Sequence, residues 1–295
     1  MQDRHRADPD DPSWSLTITT RQIDLLETVD DLRRLGADFE TLKTSVTRLK
    51  TEPGSELLKQ LVPAIAHVHE LTGRTLRQLT VLDGSQYTVV PGSRTSLKTL
   101  STVVEAACLA ALDLAEAVAD NPLEAAGFTG EPSLDEAAHR ARDAKIRAGL
   151  ADILADAVHQ LDVCATGCHY TVSGIIRDLT RHPQHMPPLP QLTCGQYTVL
   201  EKIAQGGSRF WRSLRGGRET VRAVDGSAIP SKPFHLLAKN RLVRVQERDS
   251  ALGGQDVTVT TAGLLVLDTQ RPSRAELATP ARPAPSAAST AGRRR

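Results

Sequence analysis

No stretch of the 295 residues approaches the roughly 18 to 20 uninterrupted apolar residues of a membrane span. The opening segment, Met1 to Pro12, is polar where a secretory leader would carry an apolar core. The expectation is a cytoplasmic chain with no membrane partner. Cysteine is sparse as well. Cys108, Cys164, Cys168 and Cys194 are too few and too scattered for a disulfide scaffold and fit reduced, mostly buried thiols. Also missing are a phosphate-cradling Gly-Lys-Ser/Thr loop, a dinucleotide fingerprint, a nucleophile elbow and a His-Glu-x-x-His pair. No catalytic residue and no cofactor is expected, and the chain does not read as an enzyme. The nearest approach to a metal site is Cys164, Cys168, His182 and His185, close to a zinc-finger spacing. A finger needs its histidines on a helix, which Pro183 and Pro187 forbid, and two cysteines four apart on a helix read as small core side chains. No metal is expected.

What is present is a segregated charge. The net charge of +1 hides +5 over residues 191–271 (12 Lys/Arg against 7 Asp/Glu), +4 from residue 272 onward, and −8 over residues 1–190. An acidic body carries a basic C-terminal third, which fits either a polyanion partner or a merely solvated surface.

The hydrophobic content of 40% over this length favours two domains. After a disordered start (1–15), residues 16–180 read as all-α. From Leu25 the apolar residues follow a seven-residue frame: Leu25, Leu32, Phe39 and Val46 at one position, Leu35, Leu42 and Leu49 at the other, broken only by Thr28. That helix is either a coiled-coil strand, with Asp38 and Lys43 as a favourable flanking pair, or the longest rod of a bundle. A second helix is predicted from Ser55 to about Leu79, then a loop or short hairpin through Asp83-Gly84 and Pro91-Gly92. Leu97, Leu100, Val104, Cys108, Ala111 and Leu114 give a third helix ending at Asn121-Pro122. Ser133 and Glu136 form a capping-box pattern for a fourth, buried through Ile146, Leu150, Ile153, Ala157 and Leu161 and reaching Leu179 with a bend at Gly167 or Gly174. Residues 181–191, holding Pro183, Pro187, Pro188 and Pro190, form a stiff linker. Residues 271–295, rich in Ala, Pro and Arg, form a disordered basic tail.

Between them, residues 192–270 alternate helix and strand. Thr193 and Gln196 form a capping box for a helix stopped by Gly206-Gly207. Strands from Ser208 to Leu214 and from Arg218 to Val224 flank Gly216-Gly217. Asp225-Gly226 turns the chain into a nine-residue helix capped by Ser231 and closed by Asn240. Leu242–Arg248 and Gln255–Thr260 form a second hairpin around Gly253-Gly254, and Thr261-Ala262-Gly263 opens a last helix. This order resembles the winged-helix-like modules of uncharacterised actinobacterial proteins. More distantly it is similar to the multiple-antibiotic-resistance type of winged-helix regulator. Leu200, Ile203, Gly217, Arg218, Asp225, Gly226, Leu237, Leu242, Val243, Thr260 and Gly263 carry the resemblance, which spans about 80 residues. A hairpin stands where such a regulator has the second helix of its helix-turn-helix, a departure that bears on major-groove docking. The fold class is mainly α: a helical bundle or coiled-coil-like region plus a small α+β winged-helix-like domain.

The resemblance and the charge together imply DNA binding and transcription regulation, with a protein partner or homodimer through the helical region. The alternative is a protein–protein interaction module on the same fold. Candidate nucleic-acid contacts are Arg209, Arg212, Arg215, Arg218 and Arg222 in the first hairpin, Lys232, His235 and Lys239 on the short helix, and Arg244 and Arg248 in the wing. Leu236 shares the helix face of the lysines and is a poor nucleic-acid contact. Phe210 and Trp211 either stack on bases or pack in the core.

Overall fold

The computed structural model describes residues 21–50, 52–121, 136–212, 219–246 and 254–271. The chain divides into two compact units, Met1–Pro187 and Pro188–Arg295. It is mainly helical, with one small antiparallel sheet in the second unit. Among the described residues no helix is long and apolar enough to cross a membrane.

The first unit is bundle-like. Its helices are α1 (Leu25–Thr47), α2 (Ser55–Asp83), α3 (Ser93–Asp120) and α4 (Glu136–Arg181). Helix α1 packs on α2 and α4, and α3 packs on the same two. The heptad frame of α1 is spent inside the chain: Leu25, Leu32, Leu35, Phe39, Leu42 and Val46 are all buried. Thr28, the frame breaker, is buried too and donates its hydroxyl to the Asp24 carbonyl at 3.0 Å. Burial of Leu26, Val29 and Gly36 widens the stripe beyond a two-stranded seam, as a helix with two neighbours requires. Asp38 and Lys43 do not pair with each other. Asp38 accepts from Arg74 of α2 at 2.6 Å, and Lys43 donates to Asp162 of α4 at 2.7 Å.

The α2–α3 connection is a short 3-10 helix, Gln86–Val89, in place of a loop or hairpin. Its Tyr87 is fully buried and donates to Asp178 of α4 at 2.9 Å. Burial, and then the Asp178 carboxylate, raise the phenol's pKa. Gly92 is the N-cap of helix α3, and its φ of 101° suits glycine alone; a Cβ there would lie 2.6 Å from an Asp178 carboxylate oxygen. The inward face of α3 keeps Leu100, Ala111 and Leu114 of the expected set but is shifted toward smaller residues. Val103, Ala107 and Ala110 are buried, whereas Cys108 is exposed. On α4 Leu154 is buried in place of Ile153. Gly167 and Gly174 lie within the unbroken α4 and serve close packing: an added Cβ would overlap Val103 Cγ2 at the first and Ser96 Oγ at the second. Asn121 closes α3 and ties it to the start of α2, accepting from Gly54 N–H at 2.7 Å and donating to Gly54 C=O at 2.9 Å. Ser133 of the expected capping box lies outside the described residues.

The second unit runs α5 (Cys194–Ala204), β1 (Ser208–Arg212), β2 (Glu219–Arg222), β3 (Ala228–Ile229), α6 (Ser231–Lys239), β4 (Val243–Val245), β5 (Gln255–Val259) and α7 (Thr261–Thr269). The capping box of Thr193 and Gln196 is formed. The sheet order is β3-β2-β1-β5-β4, every pairing antiparallel. Strand β1 joins the two hairpins through Ser208↔Val257 and Phe210↔Gln255. The core lies on one face of the sheet. Phe210, Val221, Val257, Leu200, Ile203, Phe234 and Leu237 meet there, with Phe210 and Phe234 stacked at 5.9 Å.

Two helix-end expectations are corrected. Ser231 is the first helical residue of α6 and not its cap, because Pro230 precedes it in extended geometry. At the other end Asn240 stays right-handed, and the left-handed position falls on Arg241 at φ 56°. What holds Arg241 there is the Thr260-x-x-Gly263 motif. Thr260 donates its hydroxyl to the Arg241 carbonyl at 2.7 Å and its N–H to the Leu242 carbonyl at 3.0 Å, while accepting from Gly263 N–H at 3.2 Å. A Cβ on Gly263 would overlap the Leu242 carbonyl oxygen.

Candidate nucleic-acid interface

Strand alternation divides the candidate cations between two faces. Ser208, Phe210, Val221 and Val257 point to the core, so Arg209, Trp211, Arg222 and Arg244 belong to the opposite face of the sheet. There Arg209 lies directly across from Arg222 on β2 and from Asp256 on β5. Its guanidinium approaches the Asp256 carboxylate to 3.7 Å, which separates the two like charges. Arg222 donates to the Gly226 carbonyl at 3.3 Å and so braces the Asp225-Gly226 turn. Trp211 is half-buried, its indole lying over Gly254, where a Cβ would not fit. Phe210 is the core residue of the aromatic pair.

Arg212 sits at the end of β1 on the α6 side. Its Nε and Nη2 both donate to Glu219 Oε1, at 3.0 and 2.6 Å. The other oxygen, Oε2, stands 3.0 Å from His235 Nε2 on α6. Glu219 thus bridges two strands and the short helix, and the Arg212 hydrogen bonds hold its carboxyl below the usual carboxylate range. Sequence reasoning missed this residue: it singled out the cations and left their counter-charges unplaced. Lys232 and Lys239 are exposed and form no ion pair among the described residues. Leu236 between them is 38% exposed. Arg215, Arg218 and Arg248 lie outside the described residues.

A cleft of about 390 Å³ opens beside this surface, between the end of α5, the Gly206-Gly207 turn and β5, with Leu264 of α7 on its rim. None of the seven candidate residues among the described ones lines it. In the first unit Cys164 and Cys168 are buried, the Cys164 thiol donating to the Val103 carbonyl at 3.6 Å. Burial pushes both thiols up to about 12, so they hold their protons at neutral pH. Cys108 and Cys194, by contrast, are exposed, so only half of the thiols are core residues. No protein-family model, curated protein or solved structure matches the chain.

Proposed function

We propose that the chain is a non-enzymatic DNA-binding, transcription-regulatory protein whose second unit is a winged-helix-like module and whose first unit serves a partner. The observation that carries this reading is Lys232 and Lys239 on one exposed face of α6, free of carboxylate partners among the described residues. The order α5, α6, the β4–β5 hairpin and α7 supports the winged-helix comparison. The β1–β2 hairpin takes the place of the second helix, so α6 reaches a groove without the usual helix across the backbone. Phosphate contacts then dominate.

A second reading, a peptide-binding module, is favoured by the cleft beside β5 and by the exposure of Leu236 and Leu264, 38% and 44%. Gel-shift titration with genomic fragments at two salt concentrations separates the two. Under the DNA reading Lys232→Ala/Lys239→Ala reduces the slope of log affinity against log salt by up to about two. His235→Ala changes sequence preference more than slope. Absence of binding by the wild-type protein at low salt rejects the DNA reading.

A further inference from the structure

Helix α2 carries two heptad stripes, and the fold uses one. Leu57, Leu61, Ala64, Val68, Leu71 and Thr75 face the core. On the other side Val62, Ala66, His69, Gly73, Leu76 and Thr80 recur at alternating steps of four and three, the spacing of a helix–helix seam. All but Gly73 are exposed, Val62 by 58% and Leu76 by 47%. Continuing the same spacing, Lys59 stands at one end of the stripe and Asp83 at the other, both exposed. From Lys59 to Asp83 the outward stripe covers 25 residues of one helix, roughly 36 Å at 1.5 Å per residue.

We infer that α2 is the seam of a homodimer in which a second copy of the chain packs antiparallel, about a two-fold axis near position 71. The stripe is self-complementary in that arrangement. Lys59 meets the second copy's Asp83, Val62 its Thr80, Ala66 its Leu76 and His69 its Gly73, and every pair occurs twice. Each end joins opposite charges, and the two inner pairs set a large side chain against a small one, as interdigitating helices require. Parallel pairing sets Lys59 on Lys59, Leu76 on Leu76 and Gly73 on Gly73, which repels at the ends and leaves a gap within. Lys59 is available: its contact to Glu56, at 3.4 Å, joins side chains that are 72% and 74% exposed. Asp83 forms no ion pair among the described residues. The helix whose heptads first suggested a coiled coil, α1, offers no such seam because its frame is buried. This inference stands apart from the DNA reading, and either can fail alone.

A seam one helix wide is small beside the interfaces of roughly 1,200 to 2,000 Å² that hold stable complexes, so the dimer is concentration-dependent. Sedimentation of the full chain from about 1 to 200 μM is expected to show reversible dimerisation. Leu76→Lys weakens it at least about tenfold, since two lysines are buried against alanine in each dimer. Lys59→Glu weakens it about fivefold and Lys59→Glu/Asp83→Lys restores it, because the exchanged charges again face opposites. All three positions are exposed, and thermal melts confirm that the variants remain folded. Register is read separately. With Cys108 and Cys194 replaced by serine, mixing Ala66→Cys and Leu76→Cys chains under mild oxidation gives a mixed disulfide, whereas neither chain links to itself. A monomer throughout the concentration range, dimerisation unchanged by Leu76→Lys, or cross-linking between like positions each overturns the inference.

Discussion

Replacing Gly167 by alanine sets two effects of opposite sign against each other, and the α3–α4 contact decides between them. In a helix interior alanine is favoured over glycine by about 1 kcal/mol. Against this, the new methyl group would overlap Cγ2 of Val103, a side chain only 1% exposed. Overpacking of that kind costs about 1 to 3 kcal/mol. Valine has little rotamer freedom on a helix, and the Val103 carbonyl is already engaged by the Cys164 thiol, so the neighbour has little room to yield. The net expectation for Gly167→Ala is a loss of about 1 to 2 kcal/mol.

A double-mutant cycle isolates the contact between the two positions. Val103→Ala alone costs about 1 to 3 kcal/mol for the two lost methyl groups and the space they leave. In that background the alanine at 167 occupies the vacated space and keeps its helix advantage, so Gly167→Ala becomes stabilising by about 1 kcal/mol. The coupling of about 2 to 3 kcal/mol is read by urea or thermal unfolding of the four proteins. Stabilisation by Gly167→Ala in the presence of Val103, or additive costs, would refute the close packing assigned to this glycine.

Four other outcomes are expected from the structure. Asn121→Ala orphans the buried Gly54 N–H and is expected to cost about 2 kcal/mol, with Asn121→Asp recovering part of it; denaturant unfolding checks both. Thiol titration in the native state is expected to modify Cys108 and Cys194 quickly and Cys164 and Cys168 only on unfolding. Because the buried pair holds its protons to about 12, against 9.0 ordinarily, the stabilisation it gives below pH 9 is lost as pH rises from there toward 12, and calorimetry along that range tests the sign. Glu219→Gln removes the counter-charge shared by Arg212 and His235; under the DNA reading it tightens binding and steepens the salt slope by about one, and weaker binding with an unchanged slope would contradict that.

Much of the fold is written in local chemistry. The α1 frame, the break before Ser55 and the Thr193–Gln196 box each need only nearby residues, and each element forms where those residues place it. The faces of α3 and α4 were harder to read because hydrophobicity ranks large side chains first. On α3 the close approach of α4 selects Ala107 and Ala110 and turns Cys108 outward. Gly167 and Gly174, which read locally as bends, are the long-range requirement of that approach. Strand β3 escaped notice because two residues carry no alternation, and Arg241 takes a left-handed turn only because Thr260, nineteen positions later, holds its carbonyl.

The candidate interface shows the same division between local and distant information. Counting cations along residues 191–271 gives a positive module, but a count has no geometry. Folding sets Asp256 beside Arg209 and Glu219 between Arg212 and His235, so part of that charge is satisfied within the unit before any partner arrives. A polyanion approaching the sheet face meets Arg209 with its carboxylate already attached. One approaching α6 meets Lys232 and Lys239, which carry no such burden among the described residues. Exposed ion pairs are worth little and exchange readily, so Arg209 and Arg212 remain recruitable, yet each must first surrender a carboxylate that stays close to the incoming phosphate. Among the described residues Lys232 and Lys239 are therefore cations that a phosphate meets without displacing a carboxylate, and Leu236 between them is where a peptide would compete for the same face.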